Sequence, residues 1–201
     1  MKKIFATLIG ISLTAAVCAQ DIRPLEIGSS LPAADVLMSD VMGKEVNFEE
    51  VKKENGLLVM FSCNTCPYVI KAQQRTKDII AFAEKQNIGM IIINSNEAQR
   101  EEQDSREAMI NYAKAQKYTV PYVVDEGAQI ADIFGATRTP EVFLFNSDGV
   151  LMYHGAMEDN PASPKESKEF FLKNAIEKML SGQKPDPAFT KSVGCSIKRP
   201  E

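Results

Sequence analysis

Apolar residues run without a break through Leu57-Leu58-Val59-Met60-Phe61 and again through Met90-Ile91-Ile92-Ile93. Unbroken runs of this length predict strands buried on both faces of a sheet, since a strand with one wet face alternates instead. Between them, Val69, Ala72, Thr76, Ile79, Ile80 and Ala83 recur at helical spacing. Residues 94–106 are polar and acidic and predict a solvated loop, followed by a helix over residues 108–116. Residues 120–124 read as a short extended piece, and residues 128–134 as a helix stopped by Gly135. Two further apolar stretches, 142–145 and 150–153, flank Asn146-Ser147-Asp148-Gly149, a hairpin signal. Phe171, Leu172, Ala175, Ile176, Met179 and Leu180 line one face of a last helix ending at Ser181-Gly182.

This order predicts an α/β domain with a mixed central sheet and helices on both faces. Turn signals at Gly28-Ser29-Ser30 and Met42-Gly43-Lys44 add a small N-terminal β-hairpin extension. Neither a repeat nor a long linker is visible, so one domain is expected over residues 20–201. Within it, residues 20–50 form the extension and residues 183–201 an irregular tail.

The chain opens Met1-Lys2-Lys3 and is then apolar from residue 4 to 17, interrupted only by Thr, Ser and Gly. Two positive charges, a short apolar run and small residues near Ala19 predict a signal peptide over residues 1–19 and an extracytoplasmic protein. A membrane-spanning helix needs about 20 apolar residues, and this run is shorter. The alternative, lipid anchoring at Cys18, is disfavoured because Val17 is larger than the residue that usually precedes such a cysteine.

Among 201 residues the formal net charge is −4, which disfavours a nucleic-acid partner. With a single histidine, His154, the chain has little material for a serine–histidine mechanism or a multi-histidine metal site. The methionines fall at core positions and read as packing.

The cysteines carry the chemistry. Cys63 and Cys66 sit where a buried strand gives way to a helix. Free amides and the positive end of the helix dipole stabilise a thiolate there, lowering a cysteine pKa from about 8.5 to between about 3.5 and 7.5. Pro67 fits the first helical turn, where its missing N–H costs no bond. On this reading Cys63 is the more exposed sulfur and the nucleophile, and Cys66, one turn deeper, resolves the mixed disulfide. A purely structural Cys63–Cys66 bridge would close too small a loop to constrain the unfolded chain much. Zinc would need four ligands, and once Cys18 leaves with the signal peptide the three remaining cysteines and His154 are scattered; no metal or other cofactor is expected beyond the redox-active disulfide itself.

The segment Phe61-Ser62-Cys63-Asn64-Thr65-Cys66-Pro67-Tyr68-Val69, with Thr139-Pro140 ahead of the next strand and the Asn146 hairpin, resembles the thioredoxin superfamily. Asn94-Ser95-Asn96, Pro121-Tyr122 and Gly194-Cys195-Ser196-Ile197-Lys198 narrow the resemblance to its extracytoplasmic, alkyl-hydroperoxide-reductase-like redoxins. The resemblance implies a thioredoxin-like fold and a thiol–disulfide oxidoreductase. It also implies a cis Pro140 facing the cysteine pair, with Thr139 and Pro140 receiving an extended substrate. Its partners would be protein thiols and disulfides, with a membrane-bound thiol reductase as electron donor.

Departures bear on a peroxidase alternative. Peroxiredoxins carry Pro and Thr upstream of the reactive cysteine, and residues 57–62 have neither. Where they place an arginine before the final hairpin, Pro140-Glu141 stands, with Arg138 slightly earlier. Residues 57–61 also lack the buried acid that thioredoxins keep beneath the pair. Another alternative is a non-enzymatic copper- or partner-binding protein, and a copper role would need His154 near Cys63. Cys195 reads as an accessory or idle thiol, the alternative being a third redox thiol that folds back with room left by Gly194 and Ser196, and His154 reads as a surface or half-buried hairpin residue.

Overall fold

The computed structural model describes residues 22–200; residues 1–19 and Cys18 therefore lie outside the described residues. Five strands form the central sheet: β3 (Leu57–Ser62), β4 (Gly89–Asn94), β5 (Tyr122–Val124), β7 (Glu141–Phe145) and β8 (Leu151–Gly155), in the order β5-β4-β3-β7-β8. The β3–β4 and β4–β5 pairs are parallel, and the β3–β7 and β7–β8 pairs antiparallel. The apolar runs at residues 57–61 and 90–93 are thus the two innermost parallel strands, and every residue of both strands is buried.

Alternation along β3 divides the core. Leu58 and Met60 pack with α3 (Gln73–Lys85), α4 (Arg106–Gln116) and α6 (Phe171–Leu180), through Ile79, Ile80, Met109, Leu172 and Ile176. Leu57, Val59 and Phe61 face the other way, onto Phe48 of α1 (Phe48–Val51) and Phe134 of α5 (Gln129–Phe134). Phe134 makes edge contacts with Phe61 and Phe143 at 5.5 and 5.2 Å, a geometry worth roughly 1 kcal/mol per pair beyond burial. Gly135 ends α5 with φ 66°, and a Cβ there would overlap the Arg23 carbonyl, so no other residue fits.

The N-terminal extension is a minimal hairpin, β1 (Met38–Ser39) against β2 (Glu45–Val46). Asn47 then caps α1 by accepting from the Glu50 amide. The single helix expected after the cysteines is two, α2 (Pro67–Lys71) and α3, separated at Ala72, where ψ opens to 1°.

Two expectations fail, each through tertiary contacts. Residues 94–106 are not simply solvated, because Asn94, Ser95, Asn96 and Asp104 are buried. His154 is neither surface nor half-buried: at 2% exposure it stacks on Phe143 at 4.2 Å, and its Nε2 lies 2.7 Å from Glu141 Oε1. The segment that covers it is the C-terminal tail, whose Ala188 carbonyl accepts from the His154 amide and whose Phe189 leans on the ring. The tail, though largely without regular structure, is docked along its length. It contributes β9 (Cys195–Ser196), which pairs with β6 (Arg138–Thr139), and it sends Ile197 into the core at 5% exposure.

Candidate active site

Strand β3 ends at Ser62, and the chain turns through Cys63-Asn64-Thr65 before α2 begins at Pro67. A proline at the first helical position makes the residue before it the cap, and Cys66 holds that place with φ −60° and ψ 123°. Cys63 therefore lies upstream of the helix, at the strand end. Both sulfurs are buried, at 1% exposure for Cys63 and 3% for Cys66. The expectation that Cys63 is the exposed sulfur, with Cys66 one turn deeper, is corrected accordingly.

Thr139 touches both. Its Oγ1 lies 3.4 Å from Cys63 Sγ, and its carbonyl oxygen 3.1 Å from Cys66 Sγ. The Thr139–Pro140 bond is cis. Glu141 fixes the approach to this bend: Oε2 accepts from the amides of Thr137 and Arg138 at 2.8 and 2.9 Å while Oε1 engages His154.

Cys195 completes a cluster of three thiols. Its side chain packs against the pair together with Val69, Tyr68 and Tyr112, and its backbone is in register opposite Thr139. His154 does not join this cluster, being held by Glu141.

The proton is not shared evenly. Cys66 is lowered to about 4, first by the hydrogen bond from the Cys63 thiol, then by the Cys195 thiol and the Val69 and Cys195 amides, against burial. Cys63 is pushed up, first by keeping its proton for Cys66, then by burial and the Asp104 charge; the Thr139 hydroxyl and Cys66 amide pull the other way. The Thr139 carbonyl accepts from a Cys66 thiol and opposes its thiolate. The Cys63 thiol, the Cys195 thiol and the Val69 and Cys195 amides favour the Cys66 thiolate over that of Cys63.

Asp104 is the residue sequence reasoning missed. It is fully buried; Oδ1 accepts from the Asn64 amide and the Asn94 side chain, each at 2.8 Å, and Oδ2 from the Asn96 side chain at 2.9 Å. Asn64 also donates to the Gln103 carbonyl and accepts from Tyr122 Oη at 2.9 Å. The turn between the cysteines is thus clamped from β4, α4's approach and β5.

A titration checks the assignment. Because the thiolate is the form present above the pKa, the Cys66-dependent ultraviolet thiolate absorbance should persist through neutral pH and fade only as pH drops through about 4. It is read as the difference between wild type and Cys66→Ser. A difference that fades near the ordinary cysteine value of about 8.5 contradicts the assignment.

This strand order, with a cysteine pair between a central strand and the helix that follows it, is that of the thioredoxin-like fold. The Redoxin family model matches residues 26–169, and the chain belongs to that family. Among solved structures, it is similar to a hypothetical protein of Sinorhizobium meliloti 1021, with 30% identity and a TM-score of 0.78, covering 89% of this chain and 97% of that one. An uncharacterized conserved protein of Geobacillus kaustophilus is 29% identical, with a TM-score of 0.77 over 87% of this chain and 93% of that one. A putative protein disulfide isomerase of Bacteroides thetaiotaomicron shares the fold at 18% identity and a TM-score of 0.59, over 78% of this chain and 91% of that one. No curated protein matches the chain. Among the described residues, no helix is long and apolar enough to cross a membrane.

Proposed function

We propose that the chain is an extracytoplasmic thiol–disulfide oxidoreductase in which Cys66 is the attacking thiolate and Cys63 the resolving thiol. One arrangement carries the reading: Cys66 caps the helix that begins at Pro67, the Cys63 thiol and nearby amides lower its pKa, and one backbone bend, Thr139, lies against both sulfurs. Cys66 attacks a substrate disulfide and forms a mixed disulfide, expelling one substrate thiolate. Cys63 then attacks Cys66 Sγ, forming the Cys63–Cys66 disulfide and releasing the second substrate sulfur. The substrate lies along the backbone of Arg138 and Thr139, the edge that β9 pairs with at rest, so the tail moves aside while substrate is bound.

Partners on this reading are protein thiols and disulfides, with a membrane-bound thiol reductase returning electrons. The location rests on the Met1–Ala19 pattern alone. The peroxidase alternative gains nothing from Glu141, which faces His154 and the loop amides instead of the sulfurs. With dithiothreitol and insulin, the full chain should precipitate the insulin B chain faster than dithiothreitol alone; an unchanged rate overturns the proposal.

A further inference from the structure

The tail is built into the site. Upstream of Cys195, the Thr190 amide donates to the His154 carbonyl. Downstream, the Ile197 amide donates to the Thr137 carbonyl and the Lys198 amide to Asn96 Oδ1, and Arg199 Nε pairs with Asp132 at 2.6 Å. Between these anchors the chain runs antiparallel to β6, with Cys195 opposite Thr139 and Ser196 opposite Arg138. Gly194 makes the fit close: a Cβ there would overlap the Thr139 carbonyl. An extended segment laid along the residues before Pro140, with its sulfur against Cys66, has the arrangement of a substrate strand in mixed-disulfide position. Cys195 is half-buried, whereas Cys63 and Cys66 are closed off.

We propose that Cys195 is a third redox thiol, an internal partner that takes the disulfide from the Cys63–Cys66 pair and presents it to an external dithiol. This rests on the exchange reaction proposed above. The Cys195 sulfur attacks Cys66 Sγ; the Cys66–Cys195 bond forms as the Cys63–Cys66 bond breaks. The proton lost by Cys195 goes to the departing Cys63 sulfur, and the protein's oxidation level is unchanged. The external dithiol then attacks Cys195, freeing Cys66. Its second thiol closes the donor's own disulfide and releases reduced Cys195, so two electrons and two protons enter from the donor.

Electrostatics gate the first step. Cys195 is raised to about 11, first by burial, then by its hydrogen bond to Cys66 and the Cys66 charge, while Lys198 and Arg138 lower it. When Cys66 is in a disulfide, its charge is gone, and burial alone is left to oppose the two nearby cations at Cys195. The tail thiol is therefore easier to ionise beside an oxidised pair than beside a reduced one.

Peptide mapping tests this. The full chain is treated with glutathione disulfide, quenched in acid, alkylated and digested with trypsin. Cleavage after Lys53, Lys71, Lys191 and Lys198 places Cys63 and Cys66 in residues 54–71 and Cys195 in residues 192–198. The expected product is 54–71 joined to 192–198 through Cys66, with Cys63 alkylated. Gly194→Ala, which pushes the strand off Thr139 while retaining all three thiols in the chain, should diminish the joined product and spare the disulfide within 54–71. A wild-type digest holding only the internal disulfide, or one joined through Cys63, overturns the relay and leaves the pair standing. A joined product undiminished in Gly194→Ala also overturns it. If both cysteines of 54–71 are alkylated, the exchange reaction and the relay fall together.

Discussion

Cys66→Ser should abolish insulin reduction, on the order of a thousandfold or more, as loss of an enzyme nucleophile does. The double variant Cys63→Ser/Cys195→Ser should instead accumulate protein joined to its substrate through Cys66. The two outcomes differ because the sulfurs differ in environment. At neutral pH a free cysteine is only a few per cent ionised, and the donors around Cys66 lower its pKa and so raise that fraction. Cys63, whose proton is held by Cys66, burial and the Asp104 charge, is poorly suited to first attack and well suited to resolution. Removing both possible resolving sulfurs leaves the mixed disulfide no internal exit. Non-reducing electrophoresis with a disulfide substrate reads the adduct directly. If the adduct forms in Cys66→Ser/Cys195→Ser and not in the first double variant, the roles are reversed.

Most of the fold was legible because its signals are local. The buried runs that became β3 and β4 announce themselves by composition, the Asn146–Gly149 turn by its residues, and α6 by the spacing of Leu172, Ala175, Ile176 and Met179. The cysteine pair was legible in the same way, and so was a neglected clue to its polarity. A proline at the first helical position makes the preceding residue the cap, and Pro67 therefore selects Cys66 over Cys63.

What the sequence concealed depends on contacts between distant segments. A two-residue strand such as β9 has no period to detect, and its place is decided by Gly194 fitting Thr139 and by Ile197 entering the core. His154 followed an apolar strand and lacked any sign that the tail would cover it. Residues 94–106 have the composition of a wet loop, and the same composition serves to clamp a buried turn. Asn94-Ser95-Asn96 entered only through family resemblance, with no indication of what they hold.

Asp104→Ala is the substitution that separates those two meanings of a polar run. In a solvated loop it would change stability by no more than about 0.5 kcal/mol. In this structure it strands the Asn64 amide and the side-chain amides of Asn94 and Asn96, all buried. At about 1–3 kcal/mol for each unsatisfied donor, and with the asparagine side chains partly able to turn, the loss should reach about 3–6 kcal/mol. That is a large share of a total stability of roughly 5–15 kcal/mol. Urea unfolding should therefore show a much lower midpoint, and a midpoint near wild type would mean that Asp104 does not hold the turn. Asp104→Asn adds a sign that a purely structural role would not produce. It removes the charge that helps raise Cys63 while retaining one acceptor oxygen, so the alkaline ionisation of the Cys63 thiol should move to lower pH. A Cys63 titration unmoved in Asp104→Asn, with the fold intact, would confine Asp104 to packing and hydrogen bonding.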